Sequence, residues 1–373
     1  MPRYDVVIVG AGAAGVGVGV VLRYLGIERF VLLERHEIGA SFLRWPKEMR
    51  FISPSFPSNA FGLLDLNAIA PDTSPAYSLR CEHPGGAEYA HYLRSVAIHY
   101  ELPVHTGVDV QWIEPCGDDG FRLHTTSDRI ESRFVVWAAG EFQYPNVRPF
   151  PGAEYCLHTS TIDSWRDVAG QERIIIGGYE SGIDAAIHLS NLHTPTYVLD
   201  RLGIWDYHSS DPSRVLSPYT QQRLVEALSA QRIRLVGGVS IVRVERRAHT
   251  FAVIADDGRV WESRFPPVLA TGFDSSLSLV RDLFAWHADD GYVLLTDEDE
   301  STRTPGLFLA GPQVRHGDII FCFIYKFRQR FAVVAQAIGA RLGIDLASLD
   351  IYRRAGMFLD DLSCCTVECT CGA

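Results

Sequence analysis

The stretch YDVVIVGAGAAGVGVGVVLRYLG, residues 4–26, decides how this chain folds. Its opening apolar run predicts a buried parallel strand, and the sequence after the glycines predicts a helix packed beside it. Gly10, Gly12 and Gly15 lie between the two with the spacing GxGxxG. The first glycine permits a tight turn, the second lets the backbone approach a pyrophosphate, and the third lets helix and strand pack closely. The stretch therefore predicts a dinucleotide cradle at the start of the helix.

An acidic residue stands where such a cradle needs one. The strand-like FVLLE that follows the helix ends at Glu34, 24 residues after Gly10. A carboxylate at this distance typically meets the ribose hydroxyls of the adenosine half of the dinucleotide. Glycine turns are common, so the spacing alone is a weak signal. The order strand, turn, helix, strand and acid favours a bound dinucleotide over an empty glycine turn.

The same pattern returns in RIIIGGYESGIDAAIHLSNL, residues 173–192, followed by a strand-like TYVLD that ends at Asp200. Here Tyr179 stands where the close-approach glycine belongs, and its side chain would crowd a pyrophosphate. Two units predict either two bound dinucleotides or one dinucleotide and a relic fold. Asp200 suits an unphosphorylated ribose, whereas Arg201 and Arg214 suit a 2′-phosphate, so NADH and NADPH both stay open.

With these two units the chain resembles the two-dinucleotide-binding-domain flavoproteins, the superfamily of thioredoxin reductases and flavin-containing monooxygenases. Further segments carry the resemblance: ERHEIGASF after the first acid, VVWAAGEFQYPNVRPFPG at one crossover, VLATGF at the return, and GLFLAGPQVRHGD before the last helix. The overall pattern is nearest to the bacillithiol-disulfide-reductase-like branch. That branch carries a cysteine in its first glycine loop, where this chain has Ala14.

The resemblance implies an α/β fold with two Rossmann-like domains built on parallel sheets, and it implies FAD and NAD(P)H as cofactors. The residues that it places against FAD are Gly10, Gly12, Ala13, Ala14, Gly15, Glu34, Arg35, Phe42, Ser53, Val110, Ala139, Gly140, Gly272, Gly311 and Pro312. The residues that it places against NAD(P)H are Gly177, Gly178, Ser181, Gly182, Asp200 and Arg201. At Pro312 many disulfide reductases have an aspartate that contacts the ribitol.

The order of the motifs also predicts the domain organisation. The FAD-binding domain is expected in two parts, residues 1–148 and 268–350, with the NAD(P)H-binding domain, residues 149–267, inserted between them. Residues 351–373 are expected to form a mobile tail, because they show no periodicity.

Composition narrows the functional class. A net charge of -11 argues against a broad nucleic-acid surface. The sequence shows neither a secretory signal pattern nor an apolar run of about 20 residues, so we expect a cytoplasmic protein that does not enter membranes. Dimers are common among the proteins that the chain resembles, and a homodimer is therefore an expectation.

Four of the eight cysteines lie in the last stretch, DDLSCCTVECTCGA, residues 360–373. The chain contains no CxxC, the usual dithiol of a disulfide reductase. Cys364, Cys365, Cys369 and Cys371 are therefore the catalytic candidates, as a mobile redox arm like the paired cysteines of large thioredoxin reductases. Three other interpretations stay open: a metal-thiolate site for Cu(I) or Hg(II), a recognition element for a partner, and an unused tail.

Other candidate residues are less certain. Cys322 lies between Phe321 and Phe323, and these neighbours predict a buried apolar thiol rather than a catalyst. His158 and His316 are open between a structural and a catalytic role. The hydroxyl groups of the loop MRFISPSFPSNAF, residues 49–61, could contact the flavin ring or only form turns.

The sequence therefore predicts an FAD-dependent, NAD(P)H-linked oxidoreductase that acts on a small-molecule or peptide thiol or disulfide through the cysteine tail. A single-component flavin-dependent monooxygenase and a non-enzymatic flavin redox sensor are the two alternatives.

Overall fold

The computed structural model describes residues 3–56, 65–209, 211 and 213–363, apart from the side chain of Asp118. The strands are β1 (Arg3–Val9), β2 (Phe30–Glu34), β3 (Val104–Thr106), β4 (Val110–Pro115), β5 (Phe121–Thr125), β6 (Arg129–Trp137), β7 (Leu157–His158), β8 (Arg173–Ile176), β9 (Thr196–Leu199), β10 (Ile233–Val236), β11 (Ile241–Arg246), β12 (Phe251–Ala255), β13 (Val260–Ser263), β14 (Val268–Leu269), β15 (Ala285–Trp286), β16 (Val293–Leu294), β17 (Leu307–Leu309), β18 (Arg315–His316) and β19 (Ile319–Ile320). The helices are α1 (Ala13–Tyr24), α2 (Ala40–Leu43), α3 (Pro75–Leu79), α4 (Gly86–His99), α5 (Glu180–Asn191), α6 (Pro218–Leu228), α7 (Ile324–Phe327), α8 (Phe331–Leu342) and α9 (Asp350–Arg354).

The first sheet is built from both ends of the chain. Its strand order is β3-β2-β1-β6-β5-β4, and β17 pairs with β6. The strands β1, β2, β3, β6 and β17 run parallel, whereas β4 and β5 form an antiparallel meander with β6. The middle of β1 is fully buried, which is why its sequence is a continuous apolar run.

The second sheet lies in the intervening part of the chain. Its order is β10-β9-β8-β14-β7, and all of its strands run parallel. The helices α5 and α6 pack on it around a second apolar core. A three-stranded antiparallel sheet, β11-β12-β13, accompanies it, and residues 256–258 form the hairpin turn that the Asp-Asp-Gly sequence predicts. The two parallel sheets confirm the expected α/β class.

The predicted tail begins later than the sequence indicates. The helix α9 lies inside the expected tail, and Tyr352 and Met357 are fully buried in the first core. The sequence hides this because α9 is only five residues long and shows no periodicity. Residues 364–373, with all four tail cysteines, lie outside the described residues. Within the described ranges, no helix is both long and apolar enough to cross a bilayer.

Candidate functional site

The turn between β1 and α1 has the geometry of a dinucleotide cradle. Gly10 has a φ of +107°, and a Cβ atom there would lie 2.5 Å from the Ala138 carbonyl oxygen. A Cβ atom on Gly15 would lie 1.9 Å from the Gly10 carbonyl oxygen. A Cβ atom on Gly12, by contrast, would meet no heavy atom within 4 Å. The first and third glycines are thus needed for packing, and the second leaves open space in front of the helix.

Glu34 holds the turn from the end of β2. Its carboxylate accepts hydrogen bonds from the backbone amides of Ala11 and His36, each at 2.8 Å. The residue is 6% exposed, at the edge of the open space. A carboxylate fixed in this way keeps further lone pairs for the hydroxyl groups of a ribose.

A cavity of about 420 Å³ opens from this turn. Many of the predicted FAD-contacting residues line it, although they come from distant parts of the chain. These are Gly10, Gly12, Ala13, Ala14, Glu34, Phe42, Ser53, Ala139, Gly140 and Pro312, together with Ser181 of the second predicted set. The volume lies within the range of small-molecule and cofactor sites.

Other predicted residues lie beside the cavity or away from it. Arg35 and Val110 line a separate cavity of about 40 Å³ that shares Gly10 and Glu34 with the large one. Gly311 lies under α1, because its Cβ would sit 3.3 Å from the Ala14 Cβ.

Gly272 belongs to the return crossover. Its carbonyl accepts hydrogen bonds from the Asn146 amide and the His158 ring, each at 3.0 Å. This residue therefore joins segments of the chain and does not line the cavity.

The loop after α2 is held by its own polar network. Ser53 donates its hydroxyl to Asn67 Oδ1 at 2.6 Å, and Asn67 Nδ2 donates to Ser55 Oγ at 2.8 Å. Both serines are buried. Asn67 thus orients both hydroxyls, and Ser53 also lines the cavity. Contact of these hydroxyls with a flavin ring stays a prediction.

The second cradle repeats the first in its backbone. Gly177 has a φ of +102°, and a Cβ atom on Gly182 would lie 1.9 Å from the Gly177 carbonyl oxygen. The Gly178 amide donates to Asp200 Oδ2 at 2.8 Å, as the Ala11 amide does to Glu34. The GxGxxG spacing with a following acid therefore produces the same turn twice.

Asp200, the acid of the second cradle, accepts more backbone hydrogen bonds than Glu34 does in the first. Asp200 Oδ1 accepts from the Leu202 and Gly203 amides at 2.8 and 2.7 Å. Trp205 Nε1 donates to the Gly178 carbonyl at 2.8 Å. Arg201 is exposed beside this loop. The second cradle is thus packed against the Trp205 indole ring.

Arg214, the second candidate for a 2′-phosphate, is already paired with acidic residues. It contacts Asp211 at 3.9 Å and Asp318 at 3.5 Å.

Tyr179 is the main difference between the two cradles. Its backbone, with φ of −94° and ψ of −161°, matches that of Gly12, with φ of −81° and ψ of −167°. Its hydroxyl donates to the Val215 carbonyl at 2.8 Å, and burial raises its pKa above the ordinary value. The ring lines the large cavity beside Ser181. The backbone of the second cradle fits a dinucleotide, but this side chain lies in the space that Gly12 leaves open in the first.

The two candidate histidines are held away from the cavity. His158 is bonded to Ser160 Oγ at 2.8 Å as well as to Gly272, and burial lowers its pKa. His316 is bonded through Nε2 to Asp299 Oδ1 at 2.6 Å, and Asp299 is fully buried. Both rings therefore hold loops together.

The prediction for Cys322 is wrong. Its thiol is exposed and lines the large cavity, although Phe321 beside it is only 2% exposed. The chain turns between β19 and α7 at this point, so that consecutive side chains point to different sides. Asp184 and Ser213 also line the cavity, and no sequence pattern marked either of them.

The chain contains two nucleotide-binding folds built on parallel strands, and the first of them opens onto a cavity of cofactor size. Together they define the class of two-dinucleotide-binding-domain flavoproteins. The chain belongs to the pyridine nucleotide-disulphide oxidoreductase family, whose family model matches residues 7–311. FAD and NAD(P)H are the cofactors of this family and of the structures that it resembles.

Solved structures with a similar fold include both reductases and monooxygenases. Bacillithiol disulfide reductase Bdr (YpdA) from Staphylococcus aureus has a TM-score of 0.76 at 20% identity, over 91% of this chain and 99% of that one. A flavin-containing monooxygenase from Stenotrophomonas maltophilia has a TM-score of 0.71 at 20% identity, over 92% of this chain and 100% of that one. At these identities the likeness shows the fold.

The first curated relatives match a smaller part of the chain. The uncharacterized oxidoreductase CzcO of Bacillus velezensis is 26% identical over 196 residues, which is 50% of this chain and 52% of that protein. The chain thus spans about half the length of the first curated relatives that it matches.

The first cradle fits FAD. The open space at Gly12 suits a pyrophosphate, as does the start of α1, which no side chain of the described residues caps; Glu34 suits the ribose. A bound flavin supplies two-electron redox chemistry, and the protein supplies orientation and electrostatics. The aromatic side chains of Phe42 and Phe327 on the cavity wall would exclude water from a flavin ring held there.

Proposed function

We propose that this protein is an FAD-dependent, NAD(P)H-linked oxidoreductase that reduces a small-molecule or peptide disulfide, or oxidises the matching thiol. FAD binds at the first cradle and the nicotinamide cofactor at the second. The tail cysteines Cys364, Cys365, Cys369 and Cys371 act as a redox arm. The overall reaction consumes one NAD(P)H and one proton for each disulfide that is converted into two thiols.

This proposal rests on the hydrogen bonds that fasten Leu359, just before the tail cysteines, to the turn after α7. The Leu359 amide donates to the Gln329 carbonyl at 3.0 Å, and Arg330 Nη1 donates to the Leu359 carbonyl. The turn Arg328–Arg330 directly follows α7, whose Ile324 and Phe327 line the flavin cavity. The last described part of the chain is thus fastened to an element of the cavity wall.

Only a short segment separates the anchored Leu359 from the first tail cysteine. Cys364 follows Leu359 by five residues, and an extended chain of that length spans roughly 17 Å. The proposed arm requires these thiols to approach the cavity and then to leave it with their electrons. The fold shared with bacillithiol disulfide reductase Bdr supports the same chemistry.

The test is truncation after Leu362. The shortened protein should keep its flavin and its reduction by NAD(P)H, since the cradles lie elsewhere, and should lose disulfide reduction. A full-length variant with the four tail cysteines changed to serine should behave in the same way, which separates the thiols from the rest of the tail. Stopped-flow reduction without oxygen, followed by addition of a disulfide, measures both half-reactions.

The alternatives give different outcomes in the same experiment. Disulfide reduction at the full rate after truncation contradicts the arm. If the reduced protein reacts only with O2 and then oxygenates a substrate, it is a monooxygenase. Absence of turnover with any electron donor and acceptor indicates a redox sensor.

A further inference from the structure

Cys322 presents a thiol to the flavin cavity from the turn between β19 and α7. Its Sγ donates to Ser213 Oγ at 3.1 Å, across from a loop that follows β9. Lys326 Nζ donates to the same Ser213 Oγ at 2.7 Å and to Asp211 Oδ1 at 2.8 Å. One hydroxyl therefore joins the thiol to an ammonium group, which in turn is held by a carboxylate.

The groups around Cys322 have opposing effects on the pKa of its thiol. Although the residue is exposed to the cavity, desolvation by the cavity walls raises the pKa of Cys322, while the hydrogen bond to Ser213 and the charge of Lys326 act in the other direction. The carboxylates of Asp211 and Glu141 add to the increase.

Two phenols complete the titratable groups around the thiol. They belong to Tyr179 at the start of α5 and Tyr325 in α7, and burial raises the pKa of both. Lys326 is thus the cation that favours the thiolate among the groups described around it.

A second feature of the same cavity indicates a ligand. Asp184, on the face of α5 that lines the cavity, is 6% exposed. Its Oδ1 accepts from Arg223 Nη1 at 2.9 Å, but its Oδ2 has no hydrogen-bond partner in the part of the chain that the structure describes. A buried carboxylate oxygen without a partner is costly. Oδ2 itself is covered in this structure, so a ligand N–H group gains affinity from it once the Asp184 side chain turns toward the cavity.

We propose that Cys322 is the thiol that exchanges with a disulfide in this cavity, and that this disulfide carries an N–H donor for Asp184. The inference rests on the proposed function and adds the reacting atom and the substrate class. Both a tail disulfide and a free peptide-like disulfide have the required chemistry, since each carries N–H groups near its sulfur atoms.

The exchange step balances without an added oxidant. Cys322 Sγ attacks one sulfur of the disulfide, the new S–S bond forms as the old one breaks, and the departing sulfur takes the proton that Cys322 gives up. Two electrons and two protons, the hydride of NAD(P)H together with one proton from solvent, then break the mixed disulfide. This restores the Cys322 thiol and releases the second thiol.

The first test locates the mixed disulfide in the full-length protein with its tail cysteines changed to serine. The protein is treated with cystamine, a disulfide with amino groups, and in parallel with iodoacetamide. Trypsin releases Cys322 in the peptide 316–326, separate from Cys116 in the peptide 95–122. The ratio of cystamine to iodoacetamide reactivity should be several times higher at Cys322 than at Cys116. Equal ratios would overturn the proposal.

The second test uses charge. Lys326→Met should move the alkylation of Cys322 to higher pH, and Asp211→Asn should move it to lower pH, because the lysine lowers the thiol pKa and the aspartate raises it. Circular dichroism confirms that both variants are folded. Shifts of the same sign, or none, contradict the assigned role of the lysine.

The third test addresses the N–H donor. Bis(2-methoxyethyl) disulfide has nearly the length of cystamine but lacks a donor. For each of the two disulfides, the rate of adduct formation at Cys322 is divided by the rate at which the same disulfide reacts with free cysteine. The ratio corrects for the intrinsic reactivity of the disulfide. Cystamine should then be favoured by about tenfold, the effect of one hydrogen bond to a charged group. Asp184→Asn, which can keep an oxygen toward Arg223 and place an N–H group at the Oδ2 position, should remove the preference. Equal corrected rates in the unchanged protein contradict the substrate class.

Two further outcomes distinguish a disulfide of the tail from a free disulfide, and this inference from the proposed function. In the unmodified protein, a cross-link between the peptides 316–326 and 355–373 shows that the tail is the partner, and adducts with added disulfide alone show a free substrate. If Cys322→Ser leaves disulfide turnover intact, this inference is wrong and the proposed function stands. If Cys322 forms the adduct but no disulfide is ever turned over, the proposed function is wrong and the exchange site stands.

Discussion

Gly12 and Tyr179 occupy the same backbone position in two copies of one turn, and the side chain alone distinguishes them. At Gly12 an added Cβ would enter open space, whereas the Tyr179 ring reaches across to the Val215 carbonyl. The two residues therefore give the two cradles different access although the glycines around them pack alike. Two predictions follow from this difference at the residue scale.

Gly12→Val should empty the flavin site while preserving the fold. The branched side chain would fill the space that a pyrophosphate needs, and it would meet no protein atom that must move. The purified variant should be colourless, with a circular dichroism spectrum like that of the original protein. Full flavin absorbance in the folded variant contradicts the assignment of this cradle.

Tyr179→Gly should tighten NAD(P)H binding by about fivefold, which corresponds to the roughly 1 kcal/mol at the lower end of what relief of crowding provides. The rate of flavin reduction, titrated against nicotinamide concentration, gives the apparent Kd. Tyr179→Phe is the matched control, because it keeps the ring and removes only the hydrogen bond to Val215. If the glycine variant and the phenylalanine control have the same Kd as the original protein, the ring does not obstruct the cradle.

At the element scale, a buried charge cluster fixes the turn before α8. Arg330 and Asp299 are 1% and 0% exposed, and their groups meet at 2.9 Å, with His316 bonded to the same carboxylate. Arg330 also holds Leu359, so the cluster connects β18, the turn and the root of the tail. One carboxylate thus organises three separate elements.

Asp299→Asn should lower the free energy of unfolding by about 3 kcal/mol, because it leaves the buried Arg330 charge without its partner. Asparagine tolerates the positive φ of 62° at this position, so backbone strain does not contribute. Urea unfolding measures the change, and Asp257→Asn at the surface is the control. A loss no larger than that of the control would show that Arg330 finds another partner.

At the scale of the whole molecule, the sequence predicted the architecture well and the cavity only in part. The cradles were predictable because the glycine spacing and the following acid are local patterns that determine a turn. Cys322, Ser213 and Asp184 were not, because they meet only when separate loops and a helix converge. The aromatic neighbours of Cys322 indicated burial, yet only Phe321 packs into the core.

The bond between Leu359 and the turn that follows α7 has a consequence for competition between reactants. A group on a short tether experiences an effective concentration in the millimolar range. A free disulfide at micromolar levels would then compete poorly for the flavin cavity with a disulfide in the protein's own tail. Under the proposed function, free disulfides would react mainly with the cysteines of the tail, and the cavity would react mainly with the tail itself.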